Sequence, residues 1–338
     1  MGRGRRPLPS SFKNQTIKNK ENKMKKTLLA LLSIAIAFTA IAPAQAQDER
    51  VLAIIDSAIN SNNFKSIVHE VCYTTVKSSV PTQNMSCPNG ELFMEGKGAA
   101  SAAWPLQRDA KTKLPIPGMF DHSSGTFHGD QMVKSALTVN PNLKIVFIRV
   151  NNITNLGAGS TPADGQTILK ALEWVTANAS KYSIDAVSVS IAGITTLGRV
   201  QSLHPGCTTP SILNPFTSQV SQLNAANIPT FVATGNHGSR TLVGFPACVP
   251  GVIGVGGLVD KTDRLDPVTN SGPGLDMVET AKVSITRYNG SPSDSFGTSV
   301  STALVSAKYV NTNTFKTFGE YLNSLKKVLI NNVSYIRN

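Results

Sequence analysis

The sequence predicts an α/β fold of three layers: a mostly parallel, doubly wound sheet with helices on both faces. Three observations predict it. Continuous apolar runs such as Val51-Leu-Ala-Ile-Ile55 and Ile145-Val-Phe-Ile148 read as strands buried on both faces, as parallel sheets require. These runs alternate with segments of helical period over residues 165–178 and 213–227. Several runs end in a polar or glycine turn, at Asp56, Gly193 and Gly235, where open α/β sheets gather their functional groups.

The first strand starts at Val51 and ends in Asp56-Ser57-Ala58. Residues 60–125 are punctuated by Pro88, Gly96, Pro105, Pro115 and Pro117. They read as an elaborated connection with short elements, not as a separate domain. Met132, Val133, Ala136 and Leu137 have helical spacing, which puts His128-Gly129 at a helix N-terminus. His122 lies nearby; of the two histidines, His128 leads directly into the helix and is the better functional candidate. Residues 143–150 form the next strand. The helix over 165–178 is amphipathic, around Ile168, Leu172 and Val175. Residues 185–193 form a strand with small residues at its exit, and 213–227 a helix. Residues 228–235 form a strand closed by Gly235-Asn236-His237-Gly238, and 245–257 supply a loop and a strand.

Gly297-Thr298-Ser299 opens a helix of small and apolar residues through Val300, Ala303, Leu304 and Ala307. Ser299 therefore sits at a helix N-terminus, where backbone N–H groups are unpaired and the dipole favours negative charge. Serine there is usually an N-cap. It is also where a nucleophilic serine belongs, because attack on a carbonyl creates an oxyanion beside its own N–H.

The chain has 338 residues, 41% of them hydrophobic, and a formal charge of +12. That charge is concentrated at the N-terminus. Residues 1–46 carry nine of the 32 Lys/Arg and one of the 20 Asp/Glu, leaving residues 47–338 at +4. Nucleic acid is thereby excluded as the expected partner. Met24-Lys25-Lys26, the apolar run over 28–42 and Ala44-Gln45-Ala46 have the architecture of a secretory signal. Residues 1–23 read as an upstream extension, 24–46 as the signal peptide and 47–338 as one domain, secreted or periplasmic and free of the membrane after cleavage. Cys72, Cys87, Cys207 and Cys248 form an even set in an exported chain, which favours disulfides. Three connectivities exist. Local pairing, Cys72 with Cys87 and Cys207 with Cys248, is preferred because each pair falls in one loop-rich region. No C-x-x-C spacing suggests zinc.

Four blocks, in order, resemble those of the subtilisin-like serine peptidases. Ile54-Ile55-Asp56-Ser57-Ala58 resembles the aspartate motif and His128-Gly129-Asp130-Gln131-Met132 the histidine motif. Ala233-Thr234-Gly235-Asn236-His237-Gly238 resembles the block of the oxyanion asparagine, and Gly297-Thr298-Ser299-Val300-Ser301-Thr302 the serine motif. The order Asp, His, Ser is that of subtilisin. Residues 187–193 resemble the strand that lines the substrate channel, and the similarity runs over residues 50–311.

The resemblance implies a catalytic set of Asp56, His128 and Ser299, with Asn236 and the Ser299 N–H as the oxyanion hole. It implies substrate binding by Ser190, Ile191, Ala192, Gly193 and Gly235, with main chain near Ser190 and Gly193 pairing with an extended peptide. The implied activity is hydrolysis of peptide bonds through an acyl-enzyme by an exported, monomeric endopeptidase. No cofactor is required. Calcium often stabilises the family, but no compact acidic ligand set is found, so structural calcium stays open.

This chain departs from the family pattern in four ways. Ala58 replaces a usual glycine, and Ala303 replaces a usual proline. Asp130 replaces a usual threonine and is expected to raise the His128 pKa as an extra carboxylate. Only residues 47–50 separate the expected cleavage point from the first strand, which leaves no room for the family's folding propeptide. The alternative reading is a subtilisin-fold protein whose idle or weak triad serves peptide binding. A nucleotide-binding reading is remote, since no glycine run matches G-x-G-x-x-G or a P-loop.

Overall fold

The strand that starts at Val51 is apolar at five consecutive positions, and the fold uses both of its faces. Leu52 and Ile54 join a core with Met132, Val133, Val300 and Ala303. Ala53 and Ile55 join a second core with Ile168, Leu172, Phe216 and Val220. A period of two with no polar face is what a strand between two helical layers needs.

The computed structural model describes residues 50–77, 86–101, 106–108, 111–112, 115–120, 127–150, 165–193, 195–197, 200–287, 290–312, 314–330 and 333–337. The signal-peptide segment and His122 lie outside the described residues, which fall within one compact unit, Gln47–Asn338.

The first elements are β1 (Val51–Asp56), β2 (Ile67–Tyr73), β3 (Phe93–Glu95), β4 (Leu106–Arg108) and β5 (Pro115–Phe120). Then come α1 (His128–Val139), β6 (Lys144–Arg149), α2 (Gly165–Asn178), β7 (Ile184–Val189), β8 (Thr195–Leu197) and β9 (Val200–Ser202). They are followed by α3 (Pro205–Thr208), α4 (Pro210–Ala225), β10 (Thr230–Ala233), β11 (Ile253–Leu258) and β12 (Met277–Thr280). The last are β13 (Lys282–Thr286), β14 (Pro292–Phe296), α5 (Thr298–Asn311), α6 (Phe318–Ser324), β15 (Lys326–Ile330) and β16 (Val333–Arg337).

The main sheet has the order β15-β16-β12-β11-β10-β7-β1-β6-β2-β3. Every pair from β16 to β2 is parallel, while β15 and β3 close the two edges antiparallel. After β1 the chain visits β2 and β6 on one side, then crosses to β7 and continues outward on the other. The order thus reverses at β1, and open α/β sheets gather their functional groups outside the carboxyl ends of the strands at such a reversal, here β1 and β7. Side chains of α1 and α5 fill the core on one face, those of α2 and α4 the other. The α/β fold with helices on both faces is as the sequence predicts.

Some boundaries differ. The helix expected over 213–227 begins at Pro210, because proline at the first helical position forfeits no hydrogen bond. It ends by Ala225, and Asn227 follows with φ +61°, a conformation that closes helices. Residues 67–73, read as part of an irregular connection, form a full strand of the main sheet. His69 and Glu70 interrupt the apolar pattern there. The buried Glu70 carboxylate accepts from Ser61 Oγ at 2.7 Å, Gly98 N at 2.9 Å and Ala100 N at 3.0 Å, which compensates its burial. No element is expected from the sequence at β8, β9, α3, β12, β13, β14, α6, β15 or β16. Among the described residues, no helix is long and apolar enough to cross a membrane.

Candidate active site

Asp56 is the last residue of β1 and is completely buried. Its Oδ1 accepts from the Ser57 N–H at 2.6 Å and from His128 Nδ1 at 2.8 Å. A carboxylate can only accept, so Nδ1 carries the proton and Nε2 of the neutral ring has a free lone pair. His128 begins α1, and 42% of its side-chain surface remains exposed. Its pKa lies above the ordinary value of 6.5. Burial is the largest influence and lowers it, but the charge of Asp56 and the hydrogen bond to it together outweigh that effect.

The extra carboxylate does not act on the histidine as the sequence suggests. Asp130 is fully buried. Its Oδ2 accepts the Phe127 N–H at 2.8 Å and its Oδ1 the Asn60 N–H at 2.9 Å. It is the third residue of α1 and reaches back over the helix start, as an acidic residue there does in a capping box. The carboxylate that raises His128 is Asp56. Ala58 also fits without strain: it is buried and does not take the left-handed conformation that would call for glycine.

The serine side of the site is built on α5. Gly297, with φ +107°, turns the chain into the helix, a conformation that L side chains avoid. Four N–H groups at a helix start lack intrahelical partners in the α pattern. Here Thr298 N donates to Asn236 Oδ1 at 2.9 Å, while Val300 N and Ser301 N donate to Gly297 O. The Ser299 N–H makes no such bond among the described residues and is left as a donor of this turn. Thr298 Oγ1 also donates to Asn236 Oδ1, at 3.0 Å. The Asn236 oxygen is therefore engaged and its Nδ2 amide hydrogens are left to donate.

Ser299 is 6% exposed. Its Oγ donates to the Ser190 carbonyl at 3.0 Å, and Ser190 Oγ donates back to the Ser299 carbonyl at 3.1 Å. The carboxyl end of β7 and the start of α5 are thus pinned by a reciprocal pair.

The other implied binding residues divide. Gly193 spends both backbone groups on Phe245, donating at 3.0 Å and accepting at 2.7 Å. Ile191 and Ala192 make no backbone hydrogen bond among the described residues, so the open main chain lies in the two residues before the glycine. Gly235, with φ +103°, donates to Thr298 Oγ1 at 3.2 Å, and a Cβ there would stand 3.5 Å from the Ala192 methyl.

Three residues near the site were not singled out from the sequence. Ser57 Oγ accepts the Gly129 N–H at 3.0 Å. Gln131 Oε1 accepts from Ser295 Oγ at 2.8 Å, linking α1 to the strand that leads into Ser299. Asn270 holds the turn that carries Asn236. Only the Asn-Ser-Gly turn composition at 270–272 hinted at this last residue.

Both disulfides follow the local pairing, Cys72–Cys87 and Cys207–Cys248. Among the described residues, no three His, Cys, Asp or Glu side chains come together as a metal site.

A family model described as the subtilase family matches residues 121–333, a span that includes His128, Asn236 and Ser299 and begins after Asp56. The chain belongs to the subtilase family. Similar solved structures include a cold adapted subtilisin-like serine proteinase at 17% identity and TM-score 0.54, covering 85% of this chain and 87% of that one. A lanthipeptide protease matches at 15% identity and TM-score 0.52, over 78% of this chain and 72% of that one. A protease from Pseudoalteromonas arctica PAMC 21717 matches at 14% identity and TM-score 0.51, over 76% and 75%. At these identities they establish the shared fold. No match was found among curated proteins.

Proposed function

We propose that this protein is an exported serine endopeptidase. The observation that carries the reading is the 2.8 Å bond from His128 Nδ1 to a fully buried Asp56 at the end of β1, with Ser299, whose own N–H makes no bond among the described residues, joined to Ser190 at the end of the neighbouring β7. Ser299 Oγ attacks the scissile carbonyl carbon and its proton passes to His128 Nε2. Asp56 holds the tautomer and stabilises the imidazolium. The Ser299 N–H and Asn236 Nδ2 hold the oxyanion. As the tetrahedral adduct collapses, the C–N bond breaks and His128 protonates the leaving amine. Water then hydrolyses the acyl-enzyme with His128 again as base. An extended peptide pairs with the open main chain at Ala192, and the Ser190 carbonyl takes a substrate N–H once the Ser299 hydroxyl turns away from it. No cofactor enters the reaction. The two disulfides and the signal at residues 24–46 support export, with maturation at Gln47.

A second reading, peptide binding without turnover, is favoured by one observation: the Ser299 hydroxyl rests on the Ser190 carbonyl. One experiment separates the two. Active enzyme is labelled by a fluorophosphonate at Ser299 and cleaves a peptide library. Ser299→Ala and His128→Ala each nearly abolish cleavage, and the double variant is little worse, because the groups act as a unit. Wild-type protein that neither labels nor cleaves, yet binds the same peptides, would establish the second reading. N-terminal sequencing of the exported protein checks the maturation point.

A further inference from the structure

We propose that Asn270 is a positioning residue for the oxyanion donor, acting on Asn236 through the turn over residues 234–239. This rests on the peptidase reading of the same site. Asn270 is completely buried. Its Nδ2 donates to the Thr234 carbonyl at 3.0 Å, and its Oδ1 accepts from the N–H groups of His237 at 3.0 Å and Ser239 at 3.1 Å. Its backbone N–H donates to the Gly235 carbonyl at 2.9 Å. One residue therefore grips the chain immediately before Asn236, immediately after it, two residues before it and three residues after it. The amide orientation is fixed by chemistry: backbone N–H groups can only face oxygen, and a carbonyl can only face the NH2 group.

Among the described residues, main chain does not duplicate the grip on the His237 and Ser239 N–H groups. Backbone bonds from residues 268–271 reach Gly235 O, Gly238 N and Ser239 O. The His237 and Ser239 N–H groups take their bonds from the Asn270 side chain, and the Thr234 carbonyl accepts from that side chain as well as from the Gly244 N–H at 2.8 Å. Packing is equally close. A Cβ at Gly235 would stand 2.6 Å from Asn270 Nδ2, so the amide fills the concave side of a turn whose φ of +103° already calls for glycine. Among the described residues, the Asn236 side chain is held only at its oxygen, by Thr298, at 2.9 and 3.0 Å. Where its NH2 group points thus depends on the backbone that Asn270 holds. An oxyanion donor works by being in place before charge develops, and misplacement of about 1 Å can cost about a hundredfold in rate.

The test is a cycle of variants with a readout independent of activity. Asn270→Ala should lower kcat about tenfold or more and leave KM within about twofold, since the donor acts on the transition state. In the Asn236→Ala background the same change should lower kcat by less than about threefold, because the group it positions is gone. Losses that multiply across the two sites would overturn the proposal. In the Ser299→Ala protein, Asn270→Ala should speed hydrogen exchange at the His237 and Ser239 amides by about a hundredfold while the amides of α5 keep their protection. Unchanged exchange at those two amides would also overturn it. If Asn270→Ala does not fold, Asn270→Asp carries both measurements. It keeps the acceptor for His237 and Ser239, loses the donor to Thr234, and is expected to retain more turnover than alanine. A wild-type protein without turnover defeats the peptidase reading, and the exchange measurement then still decides whether Asn270 holds the turn.

Discussion

Ser57 Oγ accepts the Gly129 N–H at 3.0 Å, one residue beyond Asp56 at the end of β1 and one beyond His128 at the start of α1. The main chain after β1 and the first turn of α1 are joined next to the bond that orients the imidazole. Gly129 allows this approach. A Cβ there would lie 2.6 Å from Phe147 Cζ and 2.7 Å from the carbonyl oxygens of Ser57 and Ala58. Backbone oxygens cannot give way cheaply. Gly129→Ala should therefore destabilise the fold by about 1–3 kcal/mol and lower kcat/KM by about tenfold or more through displacement of His128. Thermal unfolding and steady-state kinetics check both, and wild-type kinetics in this variant would show that the spacing is set elsewhere.

The raised pKa of His128 has consequences of opposite sign. As a base His128 must be neutral, so turnover is lost as pH falls through its folded pKa, which lies above 6.5. For stability the protonated ring gains from Asp56. That contribution is complete below the unfolded pKa and is lost as pH rises through the folded one. Asp56→Asn removes the charge that raises the pKa. The acidic limb of the pH–rate profile should move to lower pH while turnover falls by about 10⁴-fold, because the tautomer is no longer held. A limb that stays in place would mean that Asp56 is not the source of the shift.

Asp130 should behave differently. Its carboxylate serves the N–H groups of Phe127 and Asn60, so Asp130→Ala leaves buried donors unsatisfied. The expected loss is about 1–3 kcal/mol of stability, with the acidic limb unmoved. Denaturant melts and a pH profile distinguish this from an electrostatic role in catalysis, for which the limb would shift.

The two disulfides should contribute unequally. The chain-entropy account assigns about 4 kcal/mol to Cys207–Cys248 and about 3 kcal/mol to Cys72–Cys87, from separations of 41 and 15 residues. The first also has a route to the cleft. Gly206, next to Cys207, packs on the Phe245 ring, and Phe245 pairs with Gly193. Replacing Cys207 and Cys248 by serine should cost more stability and raise KM. Replacing Cys72 and Cys87 should leave KM near wild type. Equal effects on KM would remove the proposed link.

The sequence by itself determined the layered fold and where candidate groups sit. Asp56 ends an apolar run and His128 and Ser299 begin helices, and these are local patterns of period and punctuation that survive without neighbours. The cysteine pairing was a preference among three connectivities, and the structure selects the local one, Cys72–Cys87 and Cys207–Cys248. Tertiary structure decided what each group faces. Ser299 Oγ meets a carbonyl 109 residues away in sequence, Asp130 turns to amides rather than to the imidazole, Gly193 turns to Phe245, and Asn270 reaches back to the turn of Asn236. Such pairings depend on which strands lie side by side and on where a side chain points from its element. Glu70 shows the same limit within the fold, because a buried carboxylate looks like a strand breaker until Ser61, Gly98 and Ala100 are brought around it to donate. Hydrophobic period is written along the chain, whereas hydrogen-bond partners exist only once the crossing at β1 has brought distant segments together.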